Sequence, residues 1–109
     1  MIEVTLFYQE KNLVGISSKG HSGYATSGND IICASVSVLM QSLTLGLSVI
    51  AQVNGLDCTV NKKIPLMRLS WPKDQSEKIS LLTQTTAESL KIIAEGNPDY
   101  VKIYTEEIK

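Results

Sequence analysis

The sequence predicts an α+β fold in which a mostly antiparallel sheet carries two helices, in the order β-β-α-β-β-α-β. Short segments with alternating apolar residues predict five strands, and two long segments with apolar residues at steps of three and four predict helices. Short polar turns join the strands in pairs, which indicates hairpins rather than regular crossovers. At 109 residues the chain is long enough for a single domain, residues 1–109, with its own core.

The first two strands, residues 3–8 and 13–18, flank a polar turn at residues 9–12. Val4 and Leu6 alternate with polar residues, which turns one face of the first strand toward a core. Gly15 lies inside the second strand, where an isolated glycine indicates a bulge. The second strand ends just before His21, so the hairpin delivers that side chain to a loop.

The third element is a helix from about residue 30 to residue 53, ended by Asn54 and Gly55. No charged residue occurs from Ile31 to Leu56, a length that would also span a bilayer. Polar and small residues follow the helix in two lines, so we expect no membrane span. We expect burial on most sides, between a sheet and either another helix or a second subunit. The polar line comprises Ser37, Gln41, Thr44, Ser48 and Gln52, and the small residues are Ser35, Ser42 and Gly46.

The remaining elements are strands at residues 56–61 and 66–71, a helix that opens at residues 74–77 and ends at residues 96–98, and a strand at residues 100–105. Cys58 alternates with Val60, which places it in the core or at a sheet edge. Trp71 ends the fourth strand, where it either packs under a helix or lines a peptide groove. The second helix is amphipathic, which indicates core packing without chemistry.

The composition excludes several classes of function. Ten basic and eleven acidic side chains give a net charge of −1, so the chain has no excess of positive charge that would favour direct binding of nucleic acid. Cys33 and Cys58 form no Cys-x-x-Cys pair, so we expect no metal site, no disulfide scaffold and no cofactor. The first residues do not resemble a signal peptide, so we expect a cytoplasmic protein with reduced thiols.

Residues 20–37 hold the only histidine and one of the two cysteines. Cys33 would lie in the first turn of the third element, where the helix dipole favours a thiolate. His21 has the one side chain that titrates near neutrality without perturbation, so the two residues fit a cysteine nucleophile and its acid–base partner. The alternatives are a small, buried core cysteine and a hydrogen-bonded structural histidine.

Other residues of this stretch have supporting roles in that hypothesis. Gly20, Gly23 and Gly28 predict a mobile loop that closes over a ligand. Asp30, Cys33 and Ser37 share one helix face because they are spaced by three and four. Asp30 either orients His21 or pins the loop, or it only complements the helix dipole. Ser37 is a candidate substrate contact or an ordinary surface hydroxyl.

Residues 20–37 have the sequence GHSGYATSGNDIICASVS, which closely resembles the signature of the bacterial ribosomal-processing cysteine protease family (Prp). Family members often have alanine where this chain has Ser22 and Ser35, and valine where it has Ile32. The histidine, aspartate and cysteine positions of the signature are intact. The length and element order of the rest of the chain also fit the family.

The resemblance implies a cysteine endopeptidase, with Cys33 as nucleophile and His21 as acid–base partner. It implies that the substrate is the N-terminal extension of a large-subunit ribosomal protein, cut after a phenylalanine in a short motif followed by basic residues. It also implies a homodimer. One alternative is a non-catalytic, ribosome-associated module that binds a peptide in the same groove. Another is a redox or thiol-transfer domain, which would require Cys58 to lie within disulfide reach of Cys33.

Overall fold

The computed structural model describes residues 1–20 and 30–109, and its elements follow the predicted order. Most bounds differ from the sequence-based ones by one or two residues. The elements are strand β1 (Ile2–Gln9), strand β2 (Asn12–Lys19), helix α1 (Ile31–Leu45), strand β3 (Asp57–Asn61), strand β4 (Leu66–Ser70), helix α2 (Ser80–Gly96) and strand β5 (Val101–Glu107).

The five strands form one mixed sheet in the order β3-β4-β2-β1-β5. The pairs β1–β2, β2–β4 and β3–β4 are antiparallel, whereas β5 runs parallel to β1. The predicted α+β class, with a mostly antiparallel sheet and two helices, is therefore confirmed. The expectation of hairpins without crossovers is wrong for the helical connections. Helices α1 and α2 each link two strands that point in the same direction, which requires a long connection.

Both helices pack on the same face of the sheet and enclose one core. Val4 and Leu6 of β1 and Ile16 of β2 point to that face and are fully buried. They belong to one cluster with Met40 of α1 and Leu90 of α2. The alternation of apolar and polar residues in β1 follows from this arrangement, because one face of the sheet meets the helices and the other meets solvent.

Helix α1 buries one face only, which corrects the expectation that it would be covered on most sides. Ile32 and Val36 face the core, and a π-helical segment, Gly46–Ile50, continues the helix. On the outer face, Val38 is 63% and Leu45 57% exposed. The reason is that the sheet covers one side of α1 and α2 packs beside it, whereas no other element within residues 1–20 and 30–109 covers the outer face.

The helical segment Ile31–Ile50 is long and apolar enough to cross a membrane by length and composition, with a mean hydropathy of 1.7 and 28% of it buried. Core helices of soluble proteins have similar compositions. The polar line predicted on this helix is exposed at Ser37, Gln41 and Ser48. The expectation that this helix does not span a membrane stays a prediction.

Helix α2 begins later than predicted. The segment around Asp74 forms a short 3₁₀ turn, Lys73–Gln75, and the helix starts only at Ser80. Between them Ser76 and Ile79 are buried, with 5% and 4% of their surface exposed. Burial of Ile79 in the core overrides the polar signal for a helix start, because the chain has to turn inward before it can continue along the sheet.

Gly15 marks a bulge, as predicted. The register of β1 and β2 shifts there, since Phe7 pairs with Gly15 and Tyr8 pairs with Leu13. A Cβ atom at Gly15 would lie 2.9 Å from the carbonyl oxygen of Leu69 and 3.4 Å from Cδ2 of Phe7. The backbones of β2 and β4 can therefore pack as they do only because this position has no side chain.

We expect Gly15→Ala to lower the free energy of unfolding by about 1–3 kcal/mol, because the added carbon would press on a backbone carbonyl held within the sheet. Urea unfolding followed by circular dichroism measures this change. Gly96→Ala is the matched control, since no atom would lie within 4 Å of a Cβ atom added at this position. Alanine is also the better helix former, so this variant should be as stable as the wild type or more so. Equal stability of Gly15→Ala and the wild type would contradict the close contact.

Candidate active site

The start of α1 is fixed by the side chain of Asp30. Asp30 has an extended backbone, and its Oδ1 accepts a hydrogen bond of 2.9 Å from the backbone N–H of Cys33. The carbonyl oxygen of Asp30 accepts the first helical hydrogen bond, from the N–H of Ala34, at 3.1 Å. Asp30 is thus the N-cap of α1, and it is buried, with 7% of its surface exposed. Its predicted role toward His21 stays a prediction.

Cys33 is half-buried and opens onto a groove of about 250 Å³, which we call the Cys33 groove. Ser37, one turn further along α1, lines the same groove, so the shared helix face of the two residues is present. Opposite this face stands the β3–β4 hairpin, which supplies most of the apolar surface. The lining residues are Ile2, Ser18, Gly20, Cys33, Val36, Ser37, Gln41, Val60, Asn61, Pro65, Leu66 and Met67.

The groove exists because α1 covers only part of the sheet. In the register of the sheet, Ser18 of β2 pairs with Met67 of β4, and Met67 pairs with Val60 of β3. These three side chains form a row on the helix side of the sheet, beside α1. Strand β3 is exposed along its whole length, and 57% of Val60 is exposed. Val60 and Met67 of this row form an apolar floor of the Cys33 groove.

Gly20 connects the groove to the segment that carries the histidine. It lines the Cys33 groove at the end of β2, with a φ of +97° and its N–H donating to the carbonyl oxygen of Pro65 at 2.8 Å. A Cβ there would lie 2.4 Å from the carbonyl oxygen of Met1, so this bend requires glycine. His21, Gly23 and Gly28 lie outside the described residues, and their predicted roles stay predictions.

The two remaining candidates of the sequence have clear positions. Trp71 is buried at 4% exposure, and its Nε1 donates to the carbonyl oxygen of Leu13 at 2.9 Å. Trp71 packs in the core, which confirms the first of its two interpretations. The alternative, in which it lines a peptide groove, is wrong. Cys58 is a free, exposed thiol on the edge strand β3. It is therefore an edge residue, not a core residue.

The sequence pattern did not identify the groove residues that β3 and β4 supply, chiefly Val60 and Met67. The sequence did contain a signal, because residues two apart in a strand share a sheet face. Val60 therefore shares a face with Cys58, and Met67 with Leu69. The pattern showed which side chains share a face. It did not show that α1 leaves the outer part of that face open, because helix placement depends on the whole core.

Metal binding finds no support in the described ranges. Within residues 1–20 and 30–109, no group of three or more histidine, cysteine, aspartate or glutamate side chains is placed to hold a metal ion. Because His21 lies outside these ranges, the expectation of a metal-free site stays a prediction.

A half-buried thiol at a capped helix start, beside an open groove, is an arrangement that suits a protein acting on a ligand through a cysteine. The model of the cysteine protease Prp family matches residues 1–102 of the chain. The chain belongs to the cysteine protease Prp family. No match was found among curated proteins.

Solved structures share the fold over nearly the whole chain. SMU.848 from Streptococcus mutans is 26% identical, with a TM-score of 0.79 over 99% of this chain and 96% of that one. The essential ribosomal processing protease Prp from S. aureus, in complex with a covalently linked product peptide, is 18% identical, with a TM-score of 0.85. The same protease with a substrate peptide is 18% identical, with a TM-score of 0.80. Both comparisons with the S. aureus protease cover 97% of this chain and 100% of that one.

We expect Asp30→Ala to lower the free energy of unfolding by about 1 kcal/mol, because the N–H of Cys33 would lose its capping acceptor inside the protein. Urea unfolding measures the effect. Asp30→Asn is the control, since its side-chain oxygen can accept the same hydrogen bond, and it should lose clearly less stability. An Asp30→Ala protein as stable as the wild type would show that the cap does not hold the helix start.

Proposed function

We propose that this protein is a cysteine endopeptidase that removes the N-terminal extension of a large-subunit ribosomal protein during ribosome maturation. The observation that carries the proposal is the position of Cys33, at a capped helix start and open to a groove that Gly20 also lines. Gly20 directly precedes His21 in the chain. Membership of the Prp family supports the cysteine protease class, and the peptide complexes of the S. aureus relative support a peptide as ligand.

In the proposed reaction, His21 accepts the thiol proton of Cys33, and the Sγ atom attacks the carbonyl carbon of the scissile peptide bond. The carbon–nitrogen bond then breaks, and His21 donates the proton to the leaving amine. A water molecule, deprotonated by His21, hydrolyses the thioester and returns the thiol. No metal or cofactor takes part in this sequence of steps.

The capping hydrogen bond restricts which amides can stabilise the oxyanion. The N–H of Cys33 donates to Asp30 and so does not point freely at a substrate carbonyl. The amides of Ile31 and Ile32 precede the first intrahelical hydrogen bond, so they are the donors that the first turn of α1 offers. Donors at a helix start already face developing negative charge, which is the requirement for this role.

We place the protein in the cytoplasm, where a reducing environment keeps a catalytic thiol free. The peptide lies along the Cys33 groove, and Ser37 is a contact for its backbone. The apolar floor formed by Val60 and Met67 suits an apolar side chain of the peptide. This fits the phenylalanine before the cut that the family resemblance implies.

We expect Cys33→Ala to abolish cleavage of the extended ribosomal protein of the source organism, and His21→Ala to do the same, because each removes one partner of the dyad. Mass spectrometry of the products detects the cut and locates it. Cys58→Ala is the matched control, since this second thiol is exposed on β3, and it should cleave at the wild-type rate.

Cleavage by the Cys33→Ala protein would remove the nucleophile assignment. If no form cleaves the substrate while the wild type still binds its N-terminal peptide, the non-catalytic binding module becomes the better description.

We also propose a homodimer that uses the outer face of α1. The family resemblance implies a dimer, and this face is uncharged and largely exposed in one chain. Two copies related by a two-fold axis would bury the same face against itself, as homodimers do. Its large apolar members, with exposures from 57% to 66%, are Ile31, Val38, Leu45 and Val49.

We expect Val38→Glu to convert the dimer to a monomer, because a carboxylate in the middle of an apolar interface would be desolvated without a partner. Sedimentation velocity at one protein concentration distinguishes the two species. Tyr104→Glu is the control: Tyr104 is 47% exposed but pairs with Thr5, on the side of the sheet that no described helix covers. A monomeric wild type, or a dimeric Val38→Glu protein, would contradict this interface.

A further inference from the structure

The β3–β4 hairpin forms the side of the Cys33 groove opposite α1, including the apolar floor. Val60 and Asn61 end β3, and Leu66 and Met67 begin β4. All four line the groove. The turn between the two strands spans residues 62–65. Any movement of this turn therefore changes the width of the groove where a peptide would lie beside Cys33.

The turn is organised by one side chain. The Oδ1 atom of Asn61 accepts hydrogen bonds from the backbone N–H of Lys63 at 3.0 Å and of Ile64 at 3.2 Å. Lys62, Lys63 and Ile64 are exposed, so little side-chain packing holds this part of the chain. The carboxamide of Asn61 thus supplies the main fixed contact at the start of the turn.

The other end of the turn has a separate anchor. The carbonyl oxygen of Pro65 accepts a hydrogen bond of 2.8 Å from the N–H of Gly20. Strand β4 then pairs with β2 on one side and β3 on the other. Loss of the Asn61 contacts would leave this anchor and the strand pairing in place. The disturbance would therefore be confined to the turn and to the hairpin side of the groove next to it.

We propose that Asn61 is a positioning residue for peptide binding, which acts by holding the 62–65 turn so that Val60, Leu66 and Met67 keep the groove in the shape that a peptide needs. This inference rests on the proposed function. Asn61 acts through its two backbone partners and does not take part in the chemistry. Its loss weakens substrate binding, whereas the bound substrate reacts normally, because Cys33 is held by α1 and Gly20 remains bonded to Pro65.

The test uses steady-state cleavage of a synthetic peptide that spans the N-terminal extension of the ribosomal protein. We expect Asn61→Ala to raise KM about tenfold, the effect of losing one or two neutral hydrogen bonds, with kcat changed less than about twofold. Asn61→Asp retains an oxygen that accepts from both amides, so it should restore KM to within about threefold of the wild type.

Asn12→Ala is the matched control. Asn12 also organises a hairpin turn, since its Nδ2 donates to the carbonyl oxygen of Glu10 at 3.1 Å, but it lies at the opposite end of β2. This variant should leave KM unchanged. An unchanged KM in Asn61→Ala, an equal rise in Asn12→Ala, or a failure of Asn61→Asp to restore KM would each overturn the role of Asn61.

Binding of the same peptide to the Cys33→Ala protein separates this inference from the protease function. Adding Asn61→Ala to that protein should weaken binding about tenfold, whether or not the wild type cleaves. Cleavage by the wild type without any effect of Asn61 would overturn the inference alone. Binding that depends on Asn61 in a protein that never cleaves would overturn the protease function alone. Absence of any binding would overturn both.

Discussion

The hydrogen bond from the N–H of Cys33 to the buried carboxyl of Asp30 is the contact on which the candidate site depends. It fixes where α1 begins, and so it fixes the thiol relative to the sheet. The same bond engages one of the amides at the helix start, whereas the two preceding amides, of Ile31 and Ile32, have no acceptor within the helix. In the proposed site, the capping residue Asp30 therefore also limits which backbone amides can act as hydrogen-bond donors.

The second constraint is the limited cover that two helices give to five strands. Helix α1 lies over the inner strands and helps to bury Val4 and Leu6, whereas β3 remains exposed. A third helix over β3 and β4 would enlarge the core, but it would fill the space beside Cys33. Within residues 1–20 and 30–109, the exposed apolar floor and the exposed outer face of α1 have the same origin, since each of the two helices buries a single face.

The sequence was sufficient for the element order and for the residues that meet the core, because alternation in β1 and helical spacing in α1 report burial directly. It also located the bulge at Gly15 and the start of α1 near Asp30, although it did not identify Asp30 as the cap. It failed at Ser76 and Ile79, where core burial overrides a local helix-start signal. It missed Val60 and Met67 as groove residues, because the space above a strand depends on where the helices stop. Whether His21 meets Cys33 lies outside the described residues.

The two ends of the segment that carries His21 are held by independent contacts. At one end, only glycine fits at position 20, because a Cβ atom there would collide with the carbonyl oxygen of Met1. The N–H of Gly20 donates a hydrogen bond to the carbonyl oxygen of Pro65. At the other end, Asp30 is bonded to the N–H of Cys33. Antiparallel pairing explains why Met1, Gly20 and Pro65 meet, because the start of β1, the end of β2 and the start of β4 lie at the same end of the sheet. The contacts of Gly20 and Asp30 therefore fix the two described residues that flank the segment, and Gly20 itself lines the Cys33 groove.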